Sequence, residues 1–336
     1  MRNLELLKEK LQSPQKVIIV PHRRPDADAL GSCLALSMYL QKKGHDTLVI
    51  SPDDYPQFLF WMTDNEKVAI YENEDKTALD KKINEAGLIF CLDFSSLDRI
   101  EKLGKPIANS PAEKVLIDHH LGKEDFAKFE LWDTKASATA ELIFDFITLL
   151  GDQKLIDVAI AECIYAGIMT DTGSFKYSST SSKVHRNIAV LMDRGLNTER
   201  IHRLVYDTNS ENRIRFLGFV LDNRLEIIRD FKTAYIYIKA EDLKKFNSKT
   251  GDTEGLVNYA LSIEGIKLAA MFIDRTDGIS MSFRSVGNFS VSDLAAKHFK
   301  GGGHKNAAGG RLAIPLEEVI KKFKEVLKEY EAELKA

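Results

Sequence analysis

Four short stretches of the chain place carboxylates and imidazoles where an apolar run stops. His22, Asp26 and Asp28 follow Lys-Val-Ile-Ile-Val-Pro at 16 to 21, and Asp93 closes Leu-Ile-Phe-Cys-Leu-Asp. Asp118, His119 and His120 close Val-Leu-Ile-Asp-His-His, and Asp171 sits in Gly-Ile-Met-Thr-Asp-Thr-Gly at 167 to 173, after a helical stretch. In open α/β sheets, groups just past the carboxyl ends of strands meet in one crevice. A crevice lined by Asp26, Asp28, Asp93 and Asp171 repels itself and raises its own pKa values unless cations neutralise it. Carboxylates with one or two imidazoles suit manganese or magnesium better than zinc. Two such ions about 3.5–4 Å apart, sharing a carboxylate, acidify water and clamp a phosphoryl group. Taken singly, each Asp reads as a turn or helix cap and the His pair as solvent-facing. Their joint placement at four element ends argues against that reading.

The elements that must position these groups alternate in the first half. Strands are expected at 16–21, 47–50, 88–93 and 114–118, with helices at 29–43, 77–86 and 97–103 between them. That alternation predicts an α/β fold with a mostly parallel sheet flanked by helices. Helical periodicity then dominates 136–150, 155–169, 182–194 and 198–205, with a further helical connector around 213–222. Strand-like runs follow at 225–228, 234–238, 266–273 and 279–284, then a helix at 291–299 and an edge strand at 311–314. A final helix at 316–334 carries an apolar stripe behind Pro315. The expected division is therefore a catalytic domain over 1–195, a helical linker over 196–222 and a smaller α+β domain over 223–336. In the latter, Gly301, Gly302 and Gly303 leave backbone N–H groups open to a phosphate. Arg284 and His304 would add charge-assisted hydrogen bonds.

Composition narrows the setting. The chain has 336 residues, 44% of them hydrophobic, and its formal net charge of −3 lacks the basic excess that long nucleic acid demands. The longest apolar runs fall far short of the roughly 20 residues of a membrane helix, and the amino-terminal residues interleave acids and bases. The expectation is a soluble cytoplasmic protein that binds neither membrane nor long duplex. Cys33, Cys91 and Cys163 lie in apolar patterns with no C-x-x-C pair, which predicts buried, reduced thiols. His45, His185, His202 and His298 fit structural roles.

With these residues assembled, the sequence resembles the DHH phosphoesterase superfamily. His22 to Ser32 matches H-x-x-P-D-x-D-A-x-G-S at every fixed position, and Asp118-His119-His120 is the triplet that names the group. Asp93 followed by Ser95 and Arg99, and Asp171 in T-D-T-G-S-F, agree in order and spacing. Gly301-Gly302-Gly303-His304 and Ser282-Phe283-Arg284-Ser285 resemble two segments of the DHH-associated domain, so the likeness covers nearly the whole chain.

The resemblance implies two divalent cations, manganese first and magnesium second. It gives His22, Asp26 and Asp93 to one ion, and Asp28, Asp93, His119 and Asp171 to the other. It makes Asp118 the group that orients an imidazole and His120 the group that faces the scissile phosphate. Arg284, Ser285, Gly301 to Gly303 and His304 would hold the substrate, gripping its far end across a cleft between domains. The standalone arrangement resembles enzymes that hydrolyse oligoribonucleotides of two to five nucleotides and remove the 3′-phosphate of phosphoadenosine phosphate. Hydrolysis of linear or cyclic dinucleotides, of polyphosphate or pyrophosphate, and nucleotide binding without turnover are the alternatives. A homodimer is left open.

Overall fold

The computed structural model describes residues 1–63, 68–249, 251–275 and 278–335. The chain forms two compact units, Met1–Thr208 and Asn209–Ala336. The first is built on strands β1 (Lys16–Val20), β2 (Asp46–Ser51), β3 (Val68–Ile70), β4 (Leu88–Leu92), β5 (Glu113–Asp118) and β6 (Phe129–Trp132). They pair in the order β3-β2-β1-β4-β5-β6, every pair parallel. The central strands are near-continuous Val, Ile and Leu because both faces are buried. Alternate residues serve different cores: Val17, Ile19, Phe90 and Ile117 enter one, while Ile18, Val20, Ile89 and Leu116 enter the other.

Helices α1 (Leu4–Lys10), α2 (Ala27–Lys42), α3 (Lys76–Glu85), α4 (Gly104–Asn109), α5 (Thr139–Leu149), α6 (Val158–Asp171), α7 (Ser182–Asp193) and α8 (Thr198–Tyr206) complete this unit. The α2, α5 and α6 residues lie in the first core, and those of α3 and α4 in the second. Gly167 of α6 allows a close approach of α2 and α5, since a Cβ there would come within 2.7 Å of Ala140 Cβ and of Asp28 Oδ1. The strand order reverses between β1, whose crossover leads to β2, and β4 on its other side. Such a switch point opens a crevice at the carboxyl ends of the strands.

The second unit carries α9 (Glu211–Asn223), β7 (Leu225–Ile228), β8 (Thr233–Ile238), α10 (Ala240–Lys245), α11 (Leu256–Leu261), β9 (Leu268–Arg275) and β10 (Gly278–Ser285). Helix α12 (Val291–His298), strands β11 (Gly302–His304) and β12 (Ala307–Leu312), and helices α13 (Leu316–Glu329) and α14 (Glu331–Lys335) follow. Its sheet runs β11-β12-β10-β9-β8-β7, antiparallel except for β8 with β9. Helices α12 and α13 cover one face and α9 and α11 the other.

The expected α/β architecture with a smaller second sheet domain is present, and the differences are local. The edge strand expected at 311–314 begins earlier, at Ala307, because the glycine run pairs with it as β11 instead of staying a loop. The terminal helix breaks at Tyr330 into α13 and α14. Within 196–222, α8 buries Ile201 and Val205 in the core of the first unit, whereas α9 buries Phe216 and Val220 in the second. All three cysteines are buried and none forms a disulfide. Among the described residues, no helix is long and apolar enough to cross a membrane.

Candidate metal centre

Asp93 is the first residue past β4, in the left-handed region at φ 66°. That conformation is costly for a residue with a side chain and persists only where the surroundings impose it. It turns the carboxylate into the crevice between two imidazoles. His22 Nε2 lies 3.4 Å from Asp93 Oδ2 and 4.0 Å from Asp26 Oδ2. His119 Nε2 lies 3.5 Å from Asp93 Oδ1, 3.7 Å from Asp28 Oδ2 and 3.3 Å from Asp171 Oδ2. The crevice thus has two halves, His22 with Asp26 and Asp28 with His119 and Asp171, and Asp93 borders both.

The loop after β1 is pinned from below. Asp53, buried beyond β2, accepts from Arg23 Nε at 3.0 Å and from the Arg24 amide at 2.6 Å. Asp26 caps α2, its Oδ1 accepting from the amides of Asp28 and Ala29 at 3.0 and 3.1 Å. The capping role expected of such a residue is therefore real, and it fixes Asp26 Oδ2 toward His22. Both inward imidazoles are oriented through their other nitrogen: His22 Nδ1 donates to Arg23 O at 2.7 Å and His119 Nδ1 to Ala136 O at 3.3 Å. A carbonyl can only accept, so each Nε2 is left to face the carboxylates. This is how proteins orient metal-ligating histidines.

Thr139 completes the floor, and inspection of the sequence missed it. Its amide donates to Asp28 Oδ2 at 2.7 Å and its hydroxyl to Asp93 Oδ1 at 2.7 Å, while the Ala140 amide reaches Asp28 Oδ1 at 2.8 Å. Helix α5 begins after Ala138, whose side chain cannot cap it. Asp28, from α2, supplies the missing acceptors. The signal available in Ser137-Ala-Thr-Ala140 was a helix start lacking a capping side chain.

Charge is distributed as a cation site requires. Burial and the neighbouring Asp93 and Asp171 raise the Asp28 carboxyl well above the usual carboxylate range. Burial also pushes Asp93 upward, but hydrogen bonds from His119 and His22 override it and hold Asp93 well below that range. Burial pulls the His22 imidazole down, yet the Asp93 hydrogen bond and the charges of Asp26 and Asp93 lift it to about 9. His119 is likewise raised, burial being outweighed by Asp171 and Asp93. Protons on two imidazoles thus supply the positive charge that the carboxylates demand, at the positions where a divalent cation would supply it. Four carboxylates and two imidazoles, with oxygen donors in the majority, fit hard divalent ions.

Asp118 and His120 stand beside this set. Asp118 is fully buried, accepts from His120 Nδ1 at 2.8 Å and takes a short hydrogen bond from the Ser95 hydroxyl. His120 Nδ1 is also 3.5 Å from Asp93 Oδ1. In the second unit, Arg284, Ala307 and His304 share one register row, and Ser282, Gly309 and Gly302 share the row two positions on, on the same face. Ser285 points to the opposite face, where its buried hydroxyl donates to Phe289 O at 2.7 Å and accepts from Asn306 at 2.8 Å. Ser282 is the serine on the Arg284 face. The three glycines also differ. A Cβ on Gly301 or Gly303 would strike the backbone of β12, at 1.9 and 2.5 Å, but one on Gly302 meets nothing within 4 Å.

Comparison with known proteins places relatives beside both units. The model of the DHH family N-terminal domain matches residues 16–168, and that of the DHHA1 domain matches 231–333. The bifunctional oligoribonuclease and PAP phosphatase NrnA of Bacillus subtilis is 27% identical over 88% of this chain and 89% of its own. The Thermus thermophilus protein of the same name is 28% identical over 97% of this chain and 94% of its own. A crystal structure of an exopolyphosphatase-related protein from Bacteroides fragilis superposes with a TM-score of 0.93 at 38% identity, covering 99% of this chain and 97% of that one. RecJ of Thermus thermophilus in complex with Mn2+ shares the fold, with a TM-score of 0.57 at 13% identity over 98% of this chain and 54% of its own.

Proposed function

The chain belongs to the DHH family, and from that premise we propose that it is a two-metal phosphoesterase of the cytoplasm acting on short oligoribonucleotides and on phosphoadenosine phosphate. The observation that carries this is Asp93, held between His22 Nε2 at 3.4 Å and His119 Nε2 at 3.5 Å. His22, Asp26 and Asp93 would hold one cation, and Asp28, Asp93, His119 and Asp171 the other. Manganese is the ion we favour, because the set mixes imidazole with carboxylate. When bound, the pair supplies charge neutralisation for the phosphate and acidified water.

The chain's own groups do the rest. Asp118 fixes the His120 ring through Nδ1, leaving Nε2 as the nitrogen that, in the doubly protonated ring, would donate to a nonbridging phosphate oxygen and stabilise its growing charge. Asp93 Oδ1, already bonded to Thr139, keeps one orientation while substrate enters. Arg284, His304 and the Gly302 floor bind the nucleotide's remaining phosphate, with Ser285 supporting their strand through Asn306. Nucleoside monophosphates, and AMP from phosphoadenosine phosphate, are the expected products. The names of the Bacillus and Thermus relatives support this substrate pair. Polyphosphate is the second reading, favoured by the name of the Bacteroides structure.

Chromatography of labelled di- to pentaribonucleotides, phosphoadenosine phosphate, diadenylate and polyphosphate after incubation with manganese tests the proposal. Release of mononucleotides and AMP, abolished by Asp93→Ala or His119→Ala in protein that still folds, is the expected result. Turnover of polyphosphate alone would replace the substrate assignment, and activity surviving either substitution would overturn the two-metal assignment.

A further inference from the structure

The carboxyl end of edge strand β6 carries an indole tied directly to the proposed phosphate site. Trp132 is the register partner of Asp118, and its Nε1–H donates to the carbonyl oxygen of His120 over 2.8 Å. That bond satisfies the only polar atom of the indole and fixes the ring relative to His120. The side chain is nevertheless 39% exposed, and Leu121, the residue after His120, is 55% exposed. The Lys123 ammonium lies 5.9 Å from the ring centroid and is itself held by Glu130 Oε1 at 2.9 Å.

An anchored aromatic ring whose exposed surface is apolar invites a flat apolar ligand. Two side chains make a patch far too small for a stable protein interface, which needs about 800 Å² on each partner. A nucleobase fits the scale, and every base presents a π face to an aromatic platform whatever its sequence. A nucleotide also places its base one sugar away from its phosphate. The hydrogen bond to the His120 carbonyl likewise holds the Trp132 ring beside the backbone of the residue that addresses the phosphate. We propose that Trp132, flanked by Leu121, is the stacking platform for the base of the nucleotide whose phosphate His120 addresses. The assignment rests on the phosphoesterase reading of the His120 site and adds to it a base-binding subsite.

Kinetics of the full-length protein with diadenylate separate the ring from its hydrogen bond. Trp132→Ala removes both and should raise KM on the order of tenfold. Trp132→Phe keeps an aromatic ring, though a smaller one, while removing the N–H, and should leave KM within about threefold of the parent. The protein has two tryptophans, so a Trp61→Phe background leaves Trp132 as the sole reporter. Its fluorescence should be quenched saturably by AMP in the presence of chelator, and inorganic phosphate should have no such effect. Equal KM values for parent and Trp132→Ala would overturn the platform. So would equal losses in Trp132→Ala and Trp132→Phe, which would leave only the N–H link to His120. A parent that turns over no nucleotide, yet is quenched by AMP, would refute the phosphoesterase reading while retaining the base subsite.

Discussion

The Thr139 hydroxyl donates to Asp93 Oδ1 over 2.7 Å, from a residue that is itself fully buried. One oxygen of the carboxylate proposed to bridge the two cations is therefore directed by a neutral donor. Thr139→Val keeps the shape and the amide but deletes this bond. Loss of such outer partners typically costs about 10- to 100-fold in metal affinity. Calorimetric titration of manganese into the variant should show a loss of that size, with Thr139→Ser restoring much of it. Wild-type affinity in the valine variant would assign Thr139 to helix packing alone.

Metal affinity should depend on the His22 proton. In the metal-free protein, burial lowers the pKa of this imidazole, but the carboxylates raise it to about 9, above its ordinary 6.5. Its contribution to stability is therefore fully present below about pH 6.5 and is lost as pH rises through 9. A cation must displace that proton. Manganese binding should tighten between pH 6.5 and 9, while the melting midpoint of the chelated protein falls over the same window. An apparent affinity constant that is flat across this range would contradict the assignment of His22.

Two neighbouring glycines should respond differently to a methyl group. Gly303 has φ 144°, and its added Cβ would meet Ala307 O at 2.5 Å, so Gly303→Ala should lower the melting midpoint. Gly302 faces open space, so Gly302→Ala should fold normally and instead raise KM, because the methyl stands where a phosphate approaches the backbone. Thermal melts and steady-state kinetics on both variants check the contrast. A fully active Gly302→Ala enzyme would remove this position from the substrate floor.

Chelation should cost measurable stability. A cation at about one hundred times its dissociation constant adds roughly 2.7 kcal/mol, equivalent to about 5 to 10 °C in the melting midpoint of a domain this size. Scanning calorimetry with and without manganese should show that shift in the parent and not in Asp93→Ala.

The elements that carry the centre were legible because strand ends mark them. The expected strands at 16–21 and 88–93 match β1 and β4 within a residue, and every expected ligand lies in the crevice beyond them. Residues acting through the backbone were not legible. Thr139 works through its amide as much as its hydroxyl, and Asp53 grips a main-chain N–H. Composition carries no trace of either. Ser285 was expected to hold substrate with Arg284 because the Ser282–Ser285 string resembles a segment of the DHH-associated domain, but strand alternation sends the two side chains to opposite faces. Register, which decides such questions, depends on pairing partners that a single strand does not reveal.

The capping of α5 by Asp28 also bears on how the protein is made. The two groups are 111 residues apart in the chain, and contacts of such separation form only after the intervening loop has closed. A nascent chain that stops short of α5 holds Asp28 with no helix end to receive it. The proposed metal centre is thus complete only once the α5 segment has docked. Interactions absent from the folding transition state act mainly on the rate of unfolding. A bound ion would accordingly lengthen the lifetime of the finished molecule and leave the speed of its assembly nearly unchanged.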